Sequence, residues 1–257
     1  MKGSGSFERL SGIADFLIDD EVGIIQSVRQ LKREAGAPEF FHYYAYTCNT
    51  AAFCKQSNFR NAGGASGDRR IALAKAIGEA VERYCSAMYE RDDFPLFSFE
   101  GAPFPCVPPE EFALYSQEQY SRPDFPYVPF TKQTTIRWAA ALDPATNETW
   151  HVPAGMVVLP YAFDEQHGEA SIAQRISTGL ACHGSFAEAA VSGICEVIER
   201  DAFTIAWQAM LSMPQIELDS LSEENRDLVQ RFERVGDLVV LINITMDVGI
   251  PTILGVL

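Results

Sequence analysis

Glu79-Ala-Val-Glu-Arg83 and Glu196-Val-Ile-Glu-Arg200 are two copies of one charged pattern, and they decide the fold of this 257-residue chain. In each copy two glutamates and an arginine stand at positions i, i+3 and i+4, so the three side chains leave one face of a helix. A stretch of small residues precedes each helix, at 61–67 for the first and 177–185 for the second. The pattern predicts two similar loop–helix units that together build one site.

The second helix is predicted to be buried, because residues 187–207 are apolar on nearly every side. Buried carboxylates must be paired with cations or bound to metal. Each helical residue advances about 100°, so Glu188 and Glu199 lie about 20° apart around the axis. Glu196 lies about 60–80° from either of them, and Arg200 stands beside the same sector.

The first helix carries a similar charged face. Lys75 and Glu82 lie within about 20° of each other around its axis, and Glu79 and Arg83 flank them. On its own a Glu-x-x-Glu-Arg pattern is also typical of a solvated helix face, where ion pairs stabilise by about 0.2–0.5 kcal/mol each. Two copies in apolar helices, each behind a small-residue loop, favour the functional interpretation.

The residue types on the two faces suit a nucleotide bound with Mg²⁺. Mg²⁺ prefers carboxylate oxygens and usually shares its shell with substrate phosphates, while arginine holds phosphate oxygens in pairs. The sequence contains no GxxxxGK[ST] loop, so the predicted site is not of the Walker type. The candidate nucleotide-site residues are Lys75, Glu79, Glu82, Arg83, Glu188, Glu196, Glu199 and Arg200, of which the five glutamates are the candidate metal ligands.

Charge and cysteine usage limit the partners and the location of the protein. A net charge of −15 and a pI of about 4.6 disfavour nucleic acid or an anionic membrane as partner. The six cysteines are scattered without a CxxC pair, no secretory signal opens the chain, and no apolar run is long enough to span a bilayer. We therefore expect reduced thiols and a cytoplasmic location.

Around the two charged helices the sequence predicts mixed secondary structure. The first charged helix is predicted to begin after Asp68, its N-cap, and the aromatic, proline-rich stretch at 94–130 is predicted to pack down rather than form long helices. The other predicted elements are helices at 21–35 and 69–90, a short helix near 110–115, strands at 40–47, 157–160, 237–245 and 252–257, and a hairpin of 134–142 with 148–152. Because the last strand ends the chain abruptly, we expect a longer protein; the alternative is a terminal strand docked in a sheet.

Longer segments around the two copies carry a family resemblance. They are Ser177-Thr-Gly-Leu-Ala-Cys-His-Gly-Ser185, Ala187-Glu-Ala-Ala190, Gly193-Ile-Cys-Glu-Val-Ile-Glu-Arg-Asp-Ala202, Ala76-Ile-Gly-Glu-Ala-Val-Glu-Arg-Tyr-Cys85 and residues 138–160 with Val152-Pro-Ala154. In these segments the sequence resembles the YcaO family. It is most similar to the branch that acts in the biosynthesis of ribosomally made peptides, including thiazole/oxazole-modified microcins.

The resemblance implies an α+β fold of mixed sheets covered by helices around a central ATP/Mg²⁺ cleft. It implies that residues 1–257 form one YcaO-like domain that is truncated at its C-terminus, so the segment is expected to be inactive by itself. The implied cofactors are ATP and Mg²⁺, with the five glutamates as metal ligands and Arg83 and Arg200 as phosphate contacts. Two positions depart from the family pattern: Lys75 stands where many relatives have Ser, and residues 63–67 lack the Lys often found there.

The implied activity is ATP-dependent cyclodehydration of Cys, Ser or Thr in a ribosomal precursor peptide to thiazoline or oxazoline, through phosphorylation of a backbone amide. The alternatives are thioamide or amidine formation at the same ATP site, and a non-catalytic scaffold that docks a peptide. The implied partners are the precursor peptide, a leader-binding protein and a second copy of the chain.

A few conspicuous residues are predicted to be structural. His183 is expected to hydrogen-bond its loop neighbours, and Cys195 to be a small buried hydrophobe. The tryptophans Trp138, Trp150 and Trp207 are expected to be core residues.

Overall fold

The computed structural model describes residues 12–257, which divide into two compact units. The first unit holds the described residues up to Cys48 together with Arg60–Glu82 and Thr178–Leu257, and the second holds Asn49–Phe59 and Arg83–Ser177. After a helical segment at residues 12–17, the strands are β1 (Ile25–Gln30), β2 (Phe41–Thr47), β3 (Asn61–Ser66), β4 (Leu96–Phe97), β5 (Ile136–Leu142), β6 (Thr149–Pro153), β7 (Val240–Asn243) and β8 (Ile253–Val256). The helices are α1 (Arg69–Ala87), α2 (Gln117–Tyr120), α3 (Phe186–Gln208) and α4 (Glu223–Glu233).

In the first unit an antiparallel sheet of order β1-β2-β3 packs against α1. Alternate residues of β2 point into the core, where Tyr43, Ala45 and Thr47 are buried. The facing stripe of α1 consists of the alanines 72, 76 and 80, which are fully buried. Small residues on both partners allow the helix to lie close to the sheet.

Helix α1 begins where the sequence predicted. Asp68 Oδ1 accepts hydrogen bonds from the backbone N–H groups of Arg70, at 2.7 Å, and Ile71, at 3.2 Å, as an N-cap does. The helix ends at Ala87, three residues before the predicted end. Both charged helices are therefore confirmed, and α3 matches the predicted 187–207 within one residue at each end.

The predicted burial of α3 is wrong for the part of the chain that the structure describes. Val191, Ile194 and Trp207 expose 62%, 52% and 69% of their surface, and only Gly193 and Ala202 of the helix are buried. An apolar sequence predicts burial of a helix only if other parts of the protein pack around it. Residues 12–257 do not surround α3, so large apolar side chains remain in water.

Near the end of the chain, β7 and β8 form the predicted strand–turn–strand. They pair antiparallel, with Val240 opposite Val256 and Asn243 opposite Ile253. Together with the last turns of α3 they line an apolar groove of about 690 Å³, whose lining includes Trp207 and Met210.

The second unit holds an antiparallel sheet of order β4-β5-β6. The predicted hairpin is confirmed as β5 and β6, and Trp138 on β5 is fully buried with Ile136 and Ile172. Its indole Nε1–H donates to the Phe97 carbonyl oxygen at 3.0 Å. Rings from the proline-rich stretch pack on one another as predicted, with Tyr115 and Tyr127 stacked at 5.1 Å.

Buried charges cluster beside this sheet. Glu169, whose side chain is 1% exposed, accepts hydrogen bonds from the Tyr161 hydroxyl and from the backbone N–H of Asp164. Burial and the bond to Glu169 raise the pKa of Tyr161 far above its ordinary range. Asp164 lies 2.8 Å from an Arg91 guanidinium nitrogen and 2.7 Å from His167 Nδ1.

Because of this cluster, we expect the free energy of unfolding to depend on pH in the acidic range. The hydrogen bond from His167, assisted by the Arg91 charge and opposed by desolvation, lowers the pKa of Asp164 below its ordinary 3.8. A lowered folded-state pKa stabilises above the unfolded value, and this contribution is lost as pH falls through the folded value. We expect Asp164→Asn to flatten the fall in unfolding free energy below about pH 4, measured by urea titrations across acid pH.

Asp124→Asn is the matched control, because Asp124 is exposed and has no hydrogen-bond or ion-pair partner among the described residues. It should leave the acid limb of the stability curve unchanged. An equal flattening in both variants would show that general charge, not the Asp164 pairs, sets the acid dependence.

Three local predictions are wrong. Residues 21–35 hold β1 rather than a helix, because the pairing of β1 with β2 outweighs a spacing that suited either structure. Residues 61–66 form β3 rather than a loop, and their glycines reflect the close packing of α1. Residues 157–160 follow the 3₁₀ helix Ala154–Met156 as turn and bend, not as a strand.

Two predictions of buried residues also fail. Cys195 is exposed, and so is Trp207, because both lie on the uncovered α3. Trp138 is in the core as predicted, and Trp150 is only half-buried. No described helix combines the length and apolarity that a membrane span requires.

Candidate nucleotide and magnesium site

The first copy of the charged pattern rests on the β3–α1 packing. The backbone N–H of Gly63 on β3 donates to Glu79 Oε2 at 2.6 Å. Lys75 is exposed and lies about one helical turn before Glu79; its Nζ donates to the Ala65 carbonyl oxygen at 3.2 Å. The ammonium group of Lys75 therefore lies at the β3 end that faces the first turns of α1.

The remaining candidates on α1 are half-buried. Glu82 closes the first-unit part of the helix, and Arg83 opens the part that belongs to the second unit. The Arg83 guanidinium carbon lies 5.9 Å from the centre of the Phe59 ring, a cation–π distance. The Glu82 carboxylate is of the kind that binds a metal ion, and the Arg83 guanidinium is of the kind that binds phosphate.

The second copy repeats the contact of the first. The backbone N–H of Gly179 donates to Glu196 Oε2 at 3.0 Å. Arg200, one turn further along α3, places Nη2 3.5 Å from the other oxygen, Glu196 Oε1. The guanidinium of Arg200 remains largely exposed and can take further oxygen ligands.

Glu188 sits at the start of α3 and takes part in its N-terminal cap. Ser185 Oγ accepts from the Glu188 backbone N–H at 3.3 Å and donates to Glu188 Oε2 at 2.7 Å. His183 Nδ1 accepts from the Gly184 N–H at 3.0 Å and lies 3.2 Å from the same carboxylate oxygen. His183 thus bonds its loop neighbours as predicted, and Glu188 contributes to helix capping whatever else it binds.

Glu199 differs from the other carboxylates. It is exposed, and within residues 12–257 it has no hydrogen-bond or ion-pair partner. Its carboxylate is therefore available to an incoming cation without breaking an existing contact.

The donor set fits Mg²⁺ that arrives with a nucleotide. Among residues 12–257, no three His, Cys, Asp or Glu side chains lie close enough together to hold a metal ion by themselves. Mg²⁺ is usually bound through one or two carboxylates, with phosphate oxygens and water completing its octahedron. Carboxylates on α1 and α3 supply that kind of ligand, and the assignment of the five glutamates as metal ligands stays a prediction.

Sequence reasoning missed the glycines that hold the two glutamates. Gly63 and Gly179 precede their glutamates by similar intervals, 16 and 17 residues, but such an interval does not show that the glycine and the glutamate are in contact. Composition suggested only that these stretches are loops. Backbone donors leave no trace in side-chain patterns.

Comparison with known proteins decides the family. The family model described as YcaO cyclodehydratase, ATP- and Mg²⁺-binding, matches residues 63–257, which include both charged helices. The chain is a member of the YcaO family. ATP and Mg²⁺ are thus the cofactors of the family to which this YcaO chain belongs.

One curated relative and two solved structures are similar to this chain. An uncharacterized protein of Methanothermobacter thermautotrophicus is 28% identical over 198 residues, which are 75% of this YcaO chain and 46% of that relative. A heterocyclase in complex with substrate and cofactor superposes with a TM-score of 0.78 at 20% identity, over 97% of this chain and 35% of that one. YcaO from Methanopyrus kandleri bound with AMPPCP and Mg²⁺ gives 0.61 at 20% identity, over 92% and 53%. The predicted α+β fold of YcaO type is confirmed, and the chain spans about half or less of the length of each.

Proposed function

We propose that this YcaO chain takes part in the ATP- and Mg²⁺-dependent cyclodehydration of Cys, Ser or Thr in a ribosomal precursor peptide, giving thiazoline or oxazoline. The observation that carries the proposal is the repeated unit of a glycine-anchored glutamate followed by Glu-Arg, at Glu79 and Glu196. Membership of an ATP- and Mg²⁺-binding cyclodehydratase family supports it.

In the proposed reaction the thiol or hydroxyl of the peptide attacks the preceding amide carbon, and the amide oxygen takes up the terminal phosphoryl group of ATP. The C–S or C–O bond formed in this attack closes the ring, and the attacking group gives up its proton. The oxygen then leaves as phosphate, the amide nitrogen loses its proton, and a C=N bond forms within the ring. Peptide plus ATP gives azoline, ADP and phosphate, so the peptide loses one water.

The residues of this chain would act by position and charge. The five glutamates would hold Mg²⁺ against the phosphates, and Arg83 and Arg200 would contact phosphate oxygens, with Lys75 as a further cation at the rim. Bound Mg²⁺ would supply neutralisation of the charge on the transferring phosphoryl group. No residue of this chain is assigned as the base that accepts the proton from the attacking side chain.

Partners belong to the same proposal. The substrate would be a precursor peptide, a leader-binding protein would present it, and a second copy of the chain would complete a homodimer. The heterocyclase solved in complex with substrate, and the E. coli microcin synthetase McbBCD complex with pro-MccB17 bound, support a bound substrate and partner proteins. Since this chain spans 46% of its curated relative, the full activity is proposed for the longer protein as well.

The test is a peptide mass measurement with the purified full-length protein, because the segment is expected to be inactive by itself. Synthetic peptides that contain Cys, Ser or Thr, with the preceding residue varied over all types, would be pooled and incubated with ATP and Mg²⁺. We expect peptides to lose one water, matched by equal amounts of ADP and phosphate. Replacement of oxygen by sulfur when sulfide is added would indicate thioamide formation instead, and an amine-dependent loss of water would indicate an amidine.

The contrary result separates the enzyme from the scaffold. A full-length protein that binds ATP with Mg²⁺ but leaves every peptide unchanged contradicts the proposed cyclodehydration. A folded chain that binds no nucleotide favours the non-catalytic scaffold.

A further inference from the structure

The first glutamate of each charged pattern is held by a glycine backbone N–H. Gly63 donates to Glu79 Oε2 at 2.6 Å, and Gly179 donates to Glu196 Oε2 at 3.0 Å. Gly63 lies in the strand β3, whereas Gly179 lies in an irregular loop. Since the two local backbones differ, the shared bond is not a by-product of one type of turn.

In the first copy a second glycine makes the approach possible. A Cβ on Gly64 would lie 2.1 Å from the Ala72 carbonyl oxygen and 2.5 Å from the Ala76 nitrogen, and real Cβ contacts are not found below 3.0 Å. Ala72, Ala76 and Glu79 follow one another along the same face of α1. The contact at Gly64 thus sets how close Gly63 comes to the glutamate one turn further on.

In the second copy the glycine that allows the close approach lies on the helix. A Cβ on Gly193 would lie 2.5 Å from the Gly179 carbonyl oxygen. Gly193 is one turn before Glu196 on the same face of α3. Gly179 itself has a φ of +92°, which favours glycine, so the loop reaches the helix only in this conformation.

A bound N–H restricts the glutamate without using up its carboxylate. A carboxylate has about four acceptor positions on its two oxygens, and the N–H fills one of them. The bond orients a side chain that otherwise turns about three bonds, and orientation before binding reduces the entropy lost when a ligand arrives. Groups that orient a metal ligand typically affect metal affinity about 10- to 100-fold.

We propose that Gly63 and Gly179 are positioning residues whose N–H groups orient Glu79 and Glu196 toward ATP and Mg²⁺, and that Gly64 and Gly193 are the spacers that admit them. The proposal rests on the proposed nucleotide site. It assigns a functional role to backbone atoms in the two small-residue segments.

The decisive variant is Gly193→Ala. Its methyl group must push the Gly179 loop away from α3, while alanine itself favours the helix. We expect ATP affinity at fixed Mg²⁺, measured by calorimetry, to fall about 10- to 100-fold. Hydrogen exchange at the Gly179 amide should become faster, while helix content measured by circular dichroism should not decrease.

Gly78→Ala is the matched control. Gly78 is also a helical glycine, on α1, but its Cβ would meet the Cys182 carbonyl oxygen at an ordinary 3.9 Å. This variant should bind ATP as the unaltered chain does. If Gly193 acts through Glu196, the Gly193→Ala/Glu196→Gln double variant should bind no more weakly than Glu196→Gln alone.

The outcomes distinguish this inference from the proposed function. If the unaltered chain binds ATP and the Gly193→Ala variant binds it with the same affinity, the inference is overturned and the proposed function stands. A folded unaltered chain that binds no ATP overturns the proposed function and, with it, the role of the glycines at a nucleotide site.

If Gly193→Ala does not fold, Glu196→Asp replaces it. The shorter side chain keeps the charge but withdraws the carboxylate from the Gly179 N–H. We expect faster Gly179 exchange and a comparable loss of ATP affinity. Unchanged exchange and unchanged affinity in this variant would overturn the inference.

Discussion

The Glu196→Gln/Glu199→Gln variant is expected to lose nearly all Mg²⁺-dependent ATP binding. Glutamine keeps the shape of the side chain and an oxygen that can accept the Gly179 N–H, but it removes the negative charge that Mg²⁺ requires. Loss of groups that merely orient a ligand costs about 10- to 100-fold in affinity, so removing two proposed ligands should cost at least about 100-fold. Calorimetric titration with ATP, with and without Mg²⁺, measures it.

Glu217→Gln/Glu233→Gln is the matched control for that titration. Both glutamates are exposed in the first unit, and the variant changes the net charge by the same amount. It should bind ATP as the unaltered chain does. Equal binding by the Glu196/Glu199 variant and the unaltered chain would mean that these carboxylates do not hold the metal.

The largest expected loss of stability follows Trp138→Ala in the second unit. The side chain is fully buried between β5 and its neighbours, and its Nε1–H bonds the Phe97 carbonyl oxygen. Truncation leaves a large cavity and removes this hydrogen bond, and we expect a loss of about 3–5 kcal/mol of unfolding free energy. Urea titration followed by circular dichroism measures the change.

Trp207→Ala tests whether exposure, rather than residue type, sets this cost. Trp207 is 69% exposed on α3, so its removal should change the unfolding free energy by no more than about 0.5 kcal/mol. Similar losses in both variants would contradict the assignment of Trp138 as a core residue and Trp207 as a surface one.

Sequence patterns predicted the elements whose signals are local. Asp68 marked the start of α1 because an N-cap needs only the next three residues, and the hairpin of β5 and β6 follows from alternation around a turn. The helix predicted at residues 21–35 was wrong. Val22 and Ile25 fit a helical spacing, but of these two only Ile25 is buried, through its strand contacts. A spacing cannot reveal which partner strand is present.

The sequence proposed side chains for the candidate site but no backbone groups. The repeated spacing singled out Glu79 and Glu196, and the residue types around them suggested a nucleotide with Mg²⁺. ATP and Mg²⁺ are the cofactors of the family, and the roles of the individual residues stay predictions. The bonds from Gly63 and Gly179 were not predictable, because they depend on how closely a segment approaches a helix in three dimensions. The prediction that α3 is buried failed for a related reason, since burial depends on what packs around the helix.

The uncovered apolar surface of α3 has a thermal consequence. Unfolding usually raises the heat capacity by about 12–15 cal/mol/K per residue, because apolar groups pass from the interior into water. Side chains such as Val191, Ile194 and Trp207 are already exposed in the folded structure of residues 12–257, so they add little to that increase. The stability of these residues as a unit therefore changes less steeply with temperature than that of a fully packed domain of equal length.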